Sequence, residues 1–276
     1  MHRYYLPLLI ILVFTSCNNG NTKNQNKDAT PATDTAVDLN KNLTDDTIFY
    51  GGPTFPVDSL LKAKILKTGT FHEDEVWEQA SSEKWYGLFK SGHGFYLEET
   101  SIKTKRVHDA VLDELESEKS GWEVSTMQTD SNYLLIEALP YLQNRKVEHV
   151  LLNKTALLPG ETVTFTFLGT GYKLFATGEK TKVQDAEFYN IRNYKLFITA
   201  TKNGQSITQL LVAQPGFDDK MIEVLFAGDI DGDGTLDFII DTSGHYNATS
   251  PTLYLSKPAN KKEIVKPVGA HTSVGC

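Results

Sequence analysis

Residues 229–237, DIDGDGTLD, constrain what this chain can fold into more than any other stretch. Aspartates stand at positions 229, 231, 233 and 237, with Gly232 and Gly234 between them. Carboxylates crowded into one short loop repel one another unless a cation neutralises them. Oxygen donors at this spacing suit Ca²⁺, which takes about six to eight oxygens in a flexible shell. The spacing predicts side-chain ligands from Asp229, Asp231, Asp233 and Asp237 and a backbone carbonyl from Thr235. Gly234 permits the tight turn after the third aspartate. An EF-hand would need a helix on each side and a bidentate glutamate closing the loop. Ile240 occupies that closing position, and the flanks IEVLF (222–226) and FII (238–240) have strand character. A strand–loop–strand unit holding Ca²⁺ is therefore expected.

Residues 226–240, FAGDIDGDGTLDFII, resemble the calcium-binding FG-GAP/VCBS repeat of integrin-type propellers and bacterial surface proteins. The resemblance implies a metal loop. It does not imply a propeller, because the motif occurs once where a propeller repeats its blade pattern.

The opening MHR, the apolar run over 6–14 and the small residues before Cys17 predict a secretory signal peptide over 1–16. The small-small-Cys ending resembles a bacterial lipobox, with Phe14 standing where leucine is usual. That resemblance implies that Cys17 becomes the acylated first residue, anchoring the protein to a membrane without a spanning segment. Residues 18–47 are rich in Asn, Thr, Lys, Asp and Ala and nearly free of large apolar side chains. They cannot bury a core, so 17–47 is expected to be a lipidated cysteine followed by a disordered tether. The NNGN run after Cys17 resembles lipoproteins of the Bacteroidetes. A lipid-anchored place in a bacterial cell envelope, on the outer membrane, follows, with the periplasmic and surface faces both open. With Cys17 acylated, Cys276 has no partner for an intrachain disulfide.

The rest of the chain is expected to be mainly β. Antiparallel sheets would form sandwich or barrel-like modules over 48–156 and 157–276, with the calcium loop between two strands and at most one or two short helices. WYGLF (85–89) and GFYL (94–97) read as a hairpin across a glycine-rich connection. Their aromatics could form a carbohydrate-stacking surface, though core packing is the commoner use. Apolar residues at Val107, Val111, Leu112 and Leu115 have helical spacing, with Gly121 as a stop. Residues 60–66 fit a strand or one helical stretch, with strand preferred, and 133–139, 147–152, 162–167, 172–176, 252–255 and 263–265 read as strands. Asn203-Gly204 between two alternating runs predicts a hairpin with a type I′ turn.

A net charge of −8 argues against a nucleic-acid partner, which needs a basic face. No Gly-x-Ser-x-Gly elbow, P-loop or His-Glu-x-x-His occurs, and no cysteine stands as a nucleophile. HEDE (72–75) lacks a partner at a zinc-binding interval. Asp241, His245 and Asn247 follow the loop closely and are candidates for supporting it or for a ligand site. The expectation is an envelope lipoprotein whose Ca²⁺ stabilises the loop and which acts as a binding or interaction module for a protein or glycan. The alternative is a calcium-stabilised periplasmic or surface hydrolase acting on glycans, with carboxylates drawn from the β scaffold.

Overall fold

Short strands dominate, as the alternating sequence requires. The computed structural model describes residues 54–183 and 189–275, which fall within one unit, Phe49–Cys276. The expected signal peptide and tether, with Cys17, and also Cys276 lie outside the described residues. In chain order the first half carries β1 (Ile65–Leu66), β2 (Gly69–Phe71), β3 (Trp85–Ser91), β4 (Gly94–Thr100), β5 (Ile102–Val107), β6 (Gly121–Thr126), β7 (Ser131–Glu137) and β8 (Arg145–Val147). The second half carries β9 (Thr162–Phe167), β10 (Thr170–Lys182), β11 (Tyr189–Lys202), β12 (Gln205–Gly216), β13 (Glu223–Gly228) and β14 (Asp237–Asp241). It ends with β15 (Ala248–Thr249), β16 (Pro251–Leu255), β17 (Lys266–Ala270) and β18 (Ser273–Val274). The helical content among the described residues is two 3₁₀ turns, Asp58–Leu60 and Ala80–Ser82.

Every strand pairing is antiparallel. The main sheets have orders β12-β11-β10-β9, β13-β14-β16-β17, β1-β7-β3-β4-β8 and β2-β6-β5, and all are open. Packing face to face therefore replaces the barrel alternative.

Side-chain alternation shows how the sheets stack. Phe238 and Ile240 of β14 and Tyr254 of β16 enter one core with Leu174, Leu196 and Ile198 of the β9–β12 sheet. Ile239, Leu253 and Leu255 point the other way, into a second core with Leu88, Leu97, Leu134 and Ile136. Beyond that sheet, Leu66 and Leu135 join Trp85, Ile102 and Trp122 in a third core. The β13–β17 sheet is thus buried on both faces, which is why β14 and β16 read as continuous apolar runs and not as alternation. Residues on both sides of the expected 156/157 boundary share the second core: Leu134 and Val147 meet Phe226 and Ile239.

Some expectations are corrected. Residues 108–120 form turns, not a helix, and Val111, Leu112 and Leu115 are exposed. Within 60–66 only Ile65 and Leu66 are strand. Strand β8 ends at Val147, short of the run to 152, and the last long strand is β17 at 266–270, not 263–265. Trp85 is fully buried and donates its indole N–H to the Ala80 carbonyl at 2.8 Å, so it presents no sugar-stacking face.

Candidate metal centre

The 229–237 loop is the connection of the β13–β14 hairpin. Gly228 pairs with Asp237, so the loop leaves one strand and re-enters its neighbour directly. Gly232 (φ 84°) and Gly234 (φ 80°) adopt left-handed conformations that side chains with a Cβ disfavour. Those turns aim backbone N–H groups at Asp229. Its Oδ1 accepts from Gly232 N at 2.7 Å and Asp233 N at 3.1 Å, and its Oδ2 from Gly234 N at 3.1 Å. Asp237 closes the loop in the same manner. Its Oδ2 accepts from Ile230 N (2.7 Å) and Asp231 N (3.0 Å), and its Oδ1 from Ser256 N (2.7 Å).

Asp229, Asp231 and Asp237 are all buried, and one oxygen of each lies within 4.8 Å of the others. Asp231 Oδ2 accepts from Lys257 N at 2.8 Å, but its Oδ1 is buried with no hydrogen-bond partner. Such an atom is costly unless something polar meets it. Burial pushes the Asp231 carboxyl up to about 6, helped by the charges of Asp233 and Asp229. Burial and the charge of Asp231 likewise hold Asp237 well above the usual carboxylate range. The protein environment alone therefore disfavours the ionised forms of Asp231 and Asp237.

Among the described residues, one cationic side chain pairs directly with a carboxylate of the triad. Arg145, from β8, holds Asp229 in a forked pair, with Nη2 to Oδ2 at 3.0 Å and Nη1 to Oδ1 at 3.3 Å. The guanidinium lies over Gly232, where a Cβ would fall 2.2 Å from Nη1. Lys257 stands nearby, its Nζ 3.4 Å from the Asp231 carbonyl oxygen, and its charge acts on the Asp231 carboxyl against those of Asp233 and Asp229. The buried oxygen-only triad and the orphaned Asp231 Oδ1 fit a hard cation and offer nothing to a soft one. Asp229, Asp231 and Asp237 would hold it, and it would supply charge neutralisation.

The remaining sequence candidates stand outside the triad. Asp233 is exposed and outside the triad; its Oδ1 accepts from Thr235 N (2.7 Å) and Ser256 Oγ (3.0 Å). Asp241 stands at the opposite end of β14 from Asp237, about 13 Å away at strand rise. Its carboxylate serves Lys220 Nζ at 2.8 Å and the backbone N–H groups of Ser243 and Ser250. His245 is exposed; its Nε2 is 3.1 Å from Asp218, and its Nδ1 accepts from Asn247 N at 3.2 Å. The structure thus gathers Asp229, Asp231 and Asp237, and it separates Asp241, His245 and Asn247 from them.

Sequence reasoning missed Arg145, Ser256 and Lys257. Each reaches the loop from a distant strand or turn, and an arginine in the β8 run NRKVEH carries no local mark of its partner. Comparison with protein-family models, with curated proteins and with solved structures finds no match for the chain.

Proposed function

We propose that this protein is a calcium-binding lipoprotein of a bacterial cell envelope that acts as a binding or interaction module, with Ca²⁺ stabilising the loop between β13 and β14. The observation that carries the metal reading is Asp231 Oδ1, buried and unpartnered beside Asp229 and Asp237. Ca²⁺ is favoured over Mg²⁺ because the triad gathers three protein carboxylates, where Mg²⁺ usually takes one or two and keeps several waters. The resemblance of 226–240 to an FG-GAP/VCBS repeat supports the same ion. The role is structural: the loop ties a strand pair buried on both faces, and Ca²⁺ is a weak activator of water compared with zinc. The lipid anchor at Cys17 and the outer-membrane location rest on the lipobox-like ending of the signal sequence.

The test is calorimetric titration of the purified chain with Ca²⁺ and with Mg²⁺, together with thermal melts, for wild type and Asp231→Asn. Ca²⁺ is expected to bind the wild type and raise its melting temperature, and to do neither in the variant. In chelator, Asp231→Asn is expected to melt no lower than wild type, because it removes a buried unpaired charge. A variant that keeps the full calcium response would sink the ligand assignment.

A further inference from the structure

The outer face of the β9–β12 sheet, turned away from the first core, is laid out in ranks. Thr166, Gly171, Thr201 and Ser206 stand side by side across the four strands. The next rank is Thr164, Lys173, Thr199 and Thr208, and the third is Thr162, Phe175, Phe197 and Leu210. Thr177 and Lys195 follow as a fourth pair. Ranks repeat about every 6.8 Å along the strands and neighbours stand about 4.8 Å apart. The threonines of β9 are exposed, as are Lys173, Lys195, Thr201 and Thr208.

Three properties of this face are those of a ligand surface. The hydroxyls are held in place across strands, Thr199 to Thr208 and Thr201 to Ser206, both at 2.8 Å. Phe175 and Phe197 stack at 5.2 Å with an interplanar angle of 13°, forming a half-buried apolar strip beside the hydroxyls. Lys173 and Lys195 are the charged groups in these ranks, on a chain of net charge −8. Lys173 Nζ is steadied 4.9 Å over the Phe175 ring. Gly171 adds a shallow depression between Thr166, Lys173 and Thr201.

We infer that this face binds an extended acidic polysaccharide. Aligned hydroxyls would pair with sugar hydroxyls, the phenylalanine strip would take the apolar face of a sugar ring, and the two ammonium groups would meet carboxylates. A second copy of the chain fits poorly, since self-apposition would bring lysines against lysines. An anionic bilayer fits less well than a polysaccharide, because the phenylalanines of these ranks are half-buried between exposed threonines. The face would give the binding module proposed above its ligand class. Calcium affinity and polysaccharide affinity are measured separately, so either can fail alone.

The experiment is affinity electrophoresis of the full-length chain in gels containing polygalacturonate or neutral dextran, with phosphatidylglycerol vesicles in a parallel sedimentation assay. Two variants test the face. One is Lys173→Ser with Lys195→Ser. The other is Gly171→Val, where an added Cβ would meet only the Thr201 carbonyl, at 3.8 Å, and fill the depression without strain. Polygalacturonate is expected to retard the wild type, dextran to leave it unaffected, and salt to weaken the retardation. The lysine pair is expected to lose roughly tenfold in affinity, and Gly171→Val to weaken binding at unchanged melting temperature. Absent retardation, equal retardation by dextran, or undiminished retardation of both variants would overturn the inference. Vesicle binding that the lysine pair of substitutions abolishes, without polygalacturonate binding, would replace it with a membrane surface.

Discussion

Asp229 has more donors than it can serve well. A carboxylate offers about four lone-pair directions, yet two guanidinium nitrogens and three backbone N–H groups reach it. A metal ion taking an Asp229 oxygen must displace something, and the Arg145 side chain can withdraw where the turn backbone cannot. Arg145→Gln is therefore expected to raise calcium affinity and to lower ion-free stability. The pair is about a quarter exposed on the arginine side, so the loss should be about 1–2 kcal/mol, below the 3–5 of a fully buried pair. Calorimetric titration and denaturant melts in chelator would measure both; an unchanged calcium affinity would mean that Arg145 and the ion do not compete. A different residue pair sets a pH dependence. His72 Nδ1 lies 2.6 Å from Asp109 Oδ2, and this hydrogen bond raises the His72 pKa above 6.5 and lowers that of Asp109 below 3.8. The raised histidine stabilises the fold fully below pH 6.5 and loses that effect as pH rises through its folded value. The lowered carboxylate acts above pH 3.8 and loses its effect as pH falls through its own folded value. The pair thus contributes most between those limits. Asp109→Asn keeps an Oδ1 for the Val111 and Leu112 N–H groups but removes the charge. It should bring the His72 pKa down, followed by NMR titration, and shrink the melting advantage of pH 5 over pH 8; an unmoved His72 titration would refute the pairing.

At the scale of single elements, local signals worked where the backbone itself makes the structure. Asn203 (φ 51°) and Gly204 (φ 76°) form the left-handed pair that an Asn-Gly turn requires, and β11 and β12 run from it in register. Side chains that replace backbone partners defeated the same reasoning elsewhere. In residues 108–120, Asp109 Oδ1 accepts from Val111 N and Leu112 N, Asp113 accepts from Asp109 N and Ser120 N, and Glu118 from Glu114 N and Leu115 N. These acidic caps compete with helical hydrogen bonds, and the apolar spacing found no surface to pack against. Near 263–265 the Gln209 side chain accepts from Ile264 N and Val265 N and donates to the Val265 carbonyl, so an amide stands where a strand neighbour was expected. The metal loop was legible as a motif, but its Arg145 partner was not, because 84 residues separate them. The β9–β10 turn shows a local conflict. Leu168 takes φ 44° beside Gly169 at 79°, and the residue is 54% exposed. A left-handed leucine costs about 1–2 kcal/mol, and little packing offsets it. Leu168→Asn is expected to stabilise the protein by about 0.5–1 kcal/mol, read as a higher denaturant midpoint at unchanged slope. A lower midpoint would reveal packing by Leu168 that its exposure does not suggest.

For the whole molecule, the decisive feature is a central sheet that belongs to two cores at once. In β14, Phe238 and Ile240 serve one core and Ile239 the other; in β16, Tyr254 and Leu253 divide in the same way. Neither flanking sheet can lose its partner without exposing one face of β13–β17. The metal loop sits at the end of this shared element, and Arg145 links it to the β1–β8 sheet, whose β4 pairs with β8. Further ties cross the same boundary: Asp229 N donates to Glu148 O at 2.8 Å and Val150 N to Ala227 O at 3.0 Å. The residues before and after 156 should therefore unfold together and not as separable modules, with Ca²⁺ moving the single transition upward. Scanning calorimetry in chelator and in excess Ca²⁺ is expected to give one peak each, with calorimetric and van't Hoff enthalpies in agreement. The calcium-induced shift should grow with free ion concentration, as linkage to a native-state site requires. Two resolved peaks, with only the second responding to Ca²⁺, would show that the β9–β18 half folds around its loop alone, and that the shared core is contact without cooperativity.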